Sequence, residues 1–142
     1  MPVHTPSPPR SGCPINFGLE IFGDQWSLLI LRDMLIAGKR TFKEFQASEE
    51  GIASNILTER LKRLEACGII RREKSAEDGR QALYRPTEAG RALLPVLIEM
   101  SYWGATHDPD TAAPRGFAAA YRTDREGLIQ AIAAGFDPSK PG

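Results

Sequence analysis

IASNILTERLKRLEACGIIRREKSAEDGRQALYR, residues Ile52–Arg85, is the stretch whose reading decides the fold. In its first half Ile52, Ile56, Leu57, Leu61, Leu64 and Ile69 follow helical spacing, and Gly68 stands where a helix stops. One face of that helix is therefore core. Asn55, Thr58, Glu59, Lys62 and Arg63 recur at three- and four-residue spacings and read as a polar stripe on the other side. Ser54 reads as the N-cap, which puts short polar groups into the first turn, where a recognition helix meets base edges. Taken alone, this stripe is equally well an ordinary solvated helix face.

The second half shifts the balance. IIRREK, SAEDGRQ and ALYRP read as strand, turn and strand around Asp78-Gly79, with Pro86 closing the second strand. From Arg60 to Arg85 eight basic residues stand against four acids, while the whole chain is formally neutral. Phosphate contacts respond to local rather than global charge, so this strip is a candidate surface for double-stranded DNA. Lys74 and Arg80, beside and at the tip of the turn, are the wing residues placed to reach outward. A polar-striped helix followed by a basic hairpin is the order in which a winged helix-turn-helix presents itself to DNA.

Upstream, Pro14 to Phe22 reads as a short helix. Asp24 then caps an apolar helix running to Ala37, and Thr41 opens a short helix carrying Phe42 and Phe45. Downstream, Thr87 caps one long helix through Ala105, kinked by Pro95. Phe17, Ile21, Leu94, Ile98 and Trp103 present more apolar surface than one small domain covers, which points to a homodimer through the first and last helices. The expected fold is mainly α with a small β-hairpin. Residues 1–12 form a Pro- and Ser-rich arm expected to be disordered, 13–105 the DNA-binding and dimerisation domain, and 106–142 a tail with one short helix opened by a Thr123-to-Glu126 capping box.

At 142 residues and 42% hydrophobic, the chain suits one domain of ordinary size. No apolar run approaches the roughly 20 residues of a membrane span, and no signal-peptide core is visible, so a cytoplasmic location is expected. Cys13 and Cys67 match neither a disulfide framework nor a zinc spacing; no metal or cofactor is expected. No phosphate loop, nucleophile elbow or HExxH segment occurs, which argues against an enzyme. Cys13 sits at a helix start near Arg10, a setting that favours thiolate and makes it a candidate redox sensor, whereas Cys67 reads as a small buried hydrophobe.

These residues resemble the HxlR-type winged helix-turn-helix transcriptional regulators over roughly Cys13 to Gly104. The resemblance rests on Cys13-Pro14, GDQW ending at Trp26, RTFKEF from Arg40, the ILTERLKRLEACGIIRRE run, YRPTEAGRALLPVL, and Trp103-Gly104. It implies a bacterial homodimeric regulator of transcription, with a cysteine at the place of Cys13 sensing oxidants or electrophiles in several members. GDQW carries Asp24 and Gln25 where glycine and lysine are common, which removes a basic group near the DNA side. The expected function is sequence-specific binding of a near-palindromic operator, under an oxidant or small-molecule effector. The alternative is a winged-helix module binding an acidic protein partner.

Overall fold

The computed structural model describes residues 2–135. Eight helices and one hairpin follow in order among these: α1 Pro14–Phe22, α2 Ser27–Leu35, α3 Phe42–Gln46, α4 Ser54–Ala66, β1 Ile70–Lys74, β2 Ala82–Pro86, α5 Glu88–Arg91, α6 Leu94–His107, α7 Phe117–Thr123 and α8 Arg125–Ala133. The chain divides into two compact units, one ending at Ala92 and one beginning at Leu93. That boundary falls inside the 13–105 segment expected to be one domain.

In the first unit, α4 buries Leu57, Leu61 and Leu64 on one stripe. Ile30, Leu31 and Met34 of α2 and Phe45 of α3 are buried with them. α3 packs on α4, α4 on β1, and α2 on β2. Thr41 and Glu44 close a reciprocal capping box around the start of α3. Phe45 meets Tyr84 edge-on, with ring centroids 6.2 Å apart, tying α3 to the hairpin. α4 stops because Gly68 takes a left-handed φ of 83°, a conformation that costs glycine nothing. β1 and β2 pair antiparallel, with Arg72 opposite Tyr84 and Lys74 opposite Ala82.

The expected long helix after Thr87 is two helices. Pro95 lacks the N–H that would bond the Arg91 carbonyl, so α5 ends at Arg91 and a new helix starts at Leu94 with Pro95 in its first turn. The second unit is α6, α7 and α8, each packing on the other two, with Leu97, Phe117, Leu128 and Ile132 buried. The tail expected to hold one short helix therefore holds two, up to the described limit; its residues 136–142 lie outside the described residues. Asp124, rather than Thr123, caps α8, accepting a 2.9 Å hydrogen bond from the Gly127 N–H. Tyr102 and Tyr121 stack at 3.8 Å, and the Tyr121 hydroxyl donates to the Glu99 carboxylate.

The arm expected to be disordered has no helix or strand between residues 2 and 12 but is held at two points. The His4 N–H donates to the Cys67 carbonyl at 3.0 Å, and Arg10 donates to Glu20 and Asn16 on α1. Three of the five residues expected to form a dimer surface are already covered within the chain: Ile21, Leu94 and Ile98 are 2%, 4% and 1% exposed. Periodicity shows that a helix has an apolar stripe but not whether its own chain covers it. The large apolar side chains left in solvent are Ile15, Phe17 and Leu19 on α1, Ile36 just beyond α2, and Val96, Met100 and Trp103 on α6.

Gly90 lies inside α5, where a Cβ would stand 2.2 Å from the Ile69 carbonyl oxygen. Replacing a mid-helix glycine by alanine ordinarily adds about 1 kcal/mol of stability. Here backbone must move, so Gly90→Ala is expected to destabilise by about 1–3 kcal/mol. Gly79→Ala, with open space around it, serves as the neutral control. A urea midpoint for Gly90→Ala at or above that of the unsubstituted protein contradicts this packing.

Candidate nucleic-acid interface

α4 begins at Ser54 with Ala53 as its N-cap and no side-chain cap bond, so Ser54 stands one position inside the helix rather than at its cap. Ser54, Asn55, Thr58, Glu59 and Lys62 are all exposed. The Thr58 hydroxyl donates to the Ser54 carbonyl at 2.8 Å. Glu59 turns sideways onto Arg60. Burial of Leu57, Leu61 and Leu64 leaves the stripe centred on Asn55 and Lys62 facing solvent.

Arg63 does not belong to that stripe. It lies seven residues after Ile56 and three after Arg60 along the flank of α4, about 100° around the helix from Lys62. Its guanidinium donates to the Glu20 carbonyl of α1 at 2.9 Å, and its Nε is buried without a partner. Arg60, one turn earlier, pairs with Asp24 at 2.8 Å. Asp24 also accepts the Trp26 and Ser27 N–H groups and the Ser27 hydroxyl, capping the start of α2. Burial pushes the Asp24 carboxyl up, but the hydrogen bonds from Ser27, Arg60 and the two backbone N–H groups outweigh it and hold it at about 2.

The turn between α3 and α4 is fixed from beneath. Asp33 on α2 is only 5% exposed and receives Arg32, Lys39 and the hydroxyl of Ser48 in that turn. A buried carboxylate is tolerable only when so surrounded. Arg32 reaches on to Glu50 at 2.6 Å, and those hydrogen bonds hold the Glu50 carboxyl at about 2.

In the wing, the Ser75 N–H donates to the Gln81 carbonyl and the Arg80 N–H to the Asp78 carboxylate, shaping the turn. Arg71 and Arg85 both pair with Glu73. Among the described residues Lys62, Arg72, Lys74 and Arg80 are exposed and in no ion pair. Of the eight basic residues in the strip, these four remain open to an outside anion. Lys62 and Arg72 line an open groove of about 240 Å³ with Thr58, Glu65, Phe42 and Tyr84. Lys74, Arg80 and Arg72 line a second one of about 300 Å³ with Glu65. The Glu65 carboxylate accepts the Arg72 N–H at 3.1 Å and so anchors the first wing strand to α4. Arg72 is the residue that sequence reading left off the candidate interface; counting two positions back from Lys74 along β1 places both on one strand face.

Cys13 is exposed at the N-cap of α1, and the nearby Arg10 guanidinium donates to Glu20 and Asn16. Cys67 is buried, and burial pushes its thiol up. No group of three potential metal-ligating side chains occurs among the described residues. No helix there is long and apolar enough to cross a membrane.

Comparison with known proteins agrees with the helix-turn-helix fold. The family described as HxlR-like helix-turn-helix matches residues 21–111. The HTH-type transcriptional regulator YybR of Bacillus subtilis (strain 168) is 36% identical over 100 residues, covering 70% of this chain and 79% of the relative. Among solved structures, the redox regulator HypR in its oxidized form is 35% identical with a TM-score of 0.57, over 66% of this chain and 96% of that one. The reduced form of the transcriptional regulator YodB from B. subtilis is 31% identical with a TM-score of 0.57, over 71% and 100%.

The acid pairs supply a pH test. Asp24 and Glu50 sit below their ordinary values of 3.8 and 4.5, so each favours the folded state above its ordinary value and loses that contribution as pH falls toward about 2. Stability should therefore drop between about pH 4.5 and pH 2. In a series of urea midpoints, Asp24→Asn with Glu50→Gln should flatten that slope; an unchanged slope would assign acid sensitivity elsewhere.

Proposed function

Since the chain belongs to the HxlR-like helix-turn-helix family, we propose that it is a DNA-binding transcriptional regulator whose α4 lies in the major groove. In this reading Ser54, Asn55, Thr58, Glu59 and Lys62 face base edges and phosphates, and the wing, through Arg72, Lys74 and Arg80, lies on flanking backbone or minor groove. The observation that carries it is the set of four unpaired cations shared by α4 and the hairpin. The protein acts as a cytoplasmic homodimer on a near-palindromic operator and has no enzymatic role. Phe17 and Trp103, together with Ile15, Leu19, Val96 and Met100, supply the apolar surface for the dimer.

The test is binding to a duplex selected by the protein from a random pool, measured across a salt series. Lys62→Ala should weaken binding and lower the salt slope by about one. Alanine at both Lys74 and Arg80 should reduce affinity for selected and unrelated duplexes alike. The protein should sediment as a dimer at micromolar concentration, and Trp103→Glu should shift it toward monomer. Salt-insensitive binding, or Lys62→Ala behaving as the unsubstituted protein, rejects the assignment of this face.

Cys13 is the exposed thiol of the described residues and Cys67 the shielded one, which supports Cys13 as the oxidant-responsive group. One of the similar structures is itself a redox regulator in its oxidized form. Mild oxidant or a quinone should modify Cys13 first and change operator affinity. A Cys13→Ser protein whose DNA binding responds to oxidant as before would leave Cys13 as a helix-start residue only.

A further inference from the structure

Two basic residues of α4, Arg60 and Arg63, are spent on the junction between α1 and α2 rather than offered outward. The junction must terminate one helix and start another within a few residues. At the end of α1 the Gly23 N–H takes the Leu19 carbonyl, and the neighbouring Glu20 carbonyl, one of the last four that a helix leaves unpaired, takes Arg63 at 2.9 Å. A cation there also complements the negative end of the helix dipole. At the start of α2 Asp24 caps the first N–H groups with one carboxylate and uses it again for Arg60 at 2.8 Å. The side chain of Glu20 is in turn held by Arg10 and Asn16.

The consequence concerns rotation. The buried leucines resist separation of α4 from the core, but an apolar contact is non-directional and resists roll about the helix axis less well. Side-chain tips lie about 5–6 Å from a helix axis, so a roll of about 20° carries them about 2 Å, enough to break a base-edge hydrogen bond. Two directional bonds one turn apart, to a backbone carbonyl of α1 and to a carboxylate already bonded to the start of α2, oppose that roll.

We propose that Arg60 and Arg63 are positioning residues that set the roll of α4 against the α1–α2 junction, and so decide which side chains of the exposed stripe reach bases, without touching DNA themselves. This rests on the reading of α4 as the recognition helix. A DNA contact and a positioning residue differ in a measurable way: removing a phosphate contact lowers the salt slope and weakens every duplex, whereas releasing the roll blunts discrimination between sequences.

The experiment uses the full chain with the selected duplex and an unrelated one of equal length. Arg63→Met keeps the stem and removes the donor; Asp24→Asn keeps an oxygen to cap α2 and removes the charge that holds Arg60. Both should weaken binding to the selected duplex by about tenfold, leaving the salt slope and the unrelated duplex unchanged. Arg63→Lys, which can still donate to the Glu20 carbonyl, should recover part of the loss. Lys62→Ala is the reference for a contact residue. A slope lowered in Arg63→Met as in Lys62→Ala would make Arg63 a DNA contact and overturn the proposal. So would undiminished discrimination in Asp24→Asn, which decides the matter even if Arg63→Met does not fold. If Lys62→Ala binds like the unsubstituted protein, the recognition reading fails and the proposal with it; the expected loss in Lys62→Ala beside unaffected Asp24→Asn and Arg63→Met sinks the proposal alone.

Discussion

The single buried stripe of α4 is the constraint on which the first unit depends. Leu57 and Leu64 have no exposed surface and Leu61 almost none, so the helix has only one way to face the core. Each of these side chains contributes roughly 1.5–3 kcal/mol by leaving water, more together than any polar contact on the helix supplies. Because a helix repeats every 3.6 residues, turning that stripe inward turns Asn55, Thr58, Glu59 and Lys62 outward. The outward face is thus a by-product of the core.

Polar contacts then refine what hydrophobic burial leaves loose. Asp33 draws Arg32, Lys39 and Ser48 together beneath the turn between α3 and α4, pinning that turn to α2. Glu65 holds the start of the wing to the end of α4 through the Arg72 N–H, and Phe45 holds the other strand through Tyr84. The Tyr84 N–H also donates to the Arg40 carbonyl at 2.7 Å, which fastens the hairpin to the loop before α3. Helix, turn and wing therefore form one surface, and the four unpaired cations of the Arg60–Arg85 strip lie on it. Pairing inside the protein decides the rest: Glu73 takes two arginines, Asp24 another, and the Glu20 carbonyl a fourth.

The second unit stands apart in its construction. Its three helices bury a small set of apolar side chains and link their surfaces through Tyr121, Glu99 and Arg125. One face of α6, bearing Val96, Met100 and Trp103, remains uncovered, and Trp103 stacks on His107 at its end. Ile15, Phe17 and Leu19 of α1 are exposed as well, and Ile36 just beyond α2.

Much of this was legible in the sequence because it is local. The core stripe of α4, the stop at Gly68, the hairpin around Asp78-Gly79, the extent of α1 and the capping of α3 by Thr41 each depend on residues within a turn or a strand pair. Cys67 was readable as buried for the same reason: it shares the spacing of the leucines. What only the tertiary structure decided involves partners far apart in the chain. Arg60 meets a residue 36 positions away and Arg63 one 43 positions away, so nothing in their own helix distinguishes them from Lys62. Asp24, readable as the cap of the second helix, becomes an anchor for Arg60 only when α4 comes alongside. Ile21, Leu94 and Ile98 looked available for a partner until their own chain covered them. Periodicity determines that a face exists; the folded chain determines what that face meets, because burial and charge pairing are settled by neighbours in space.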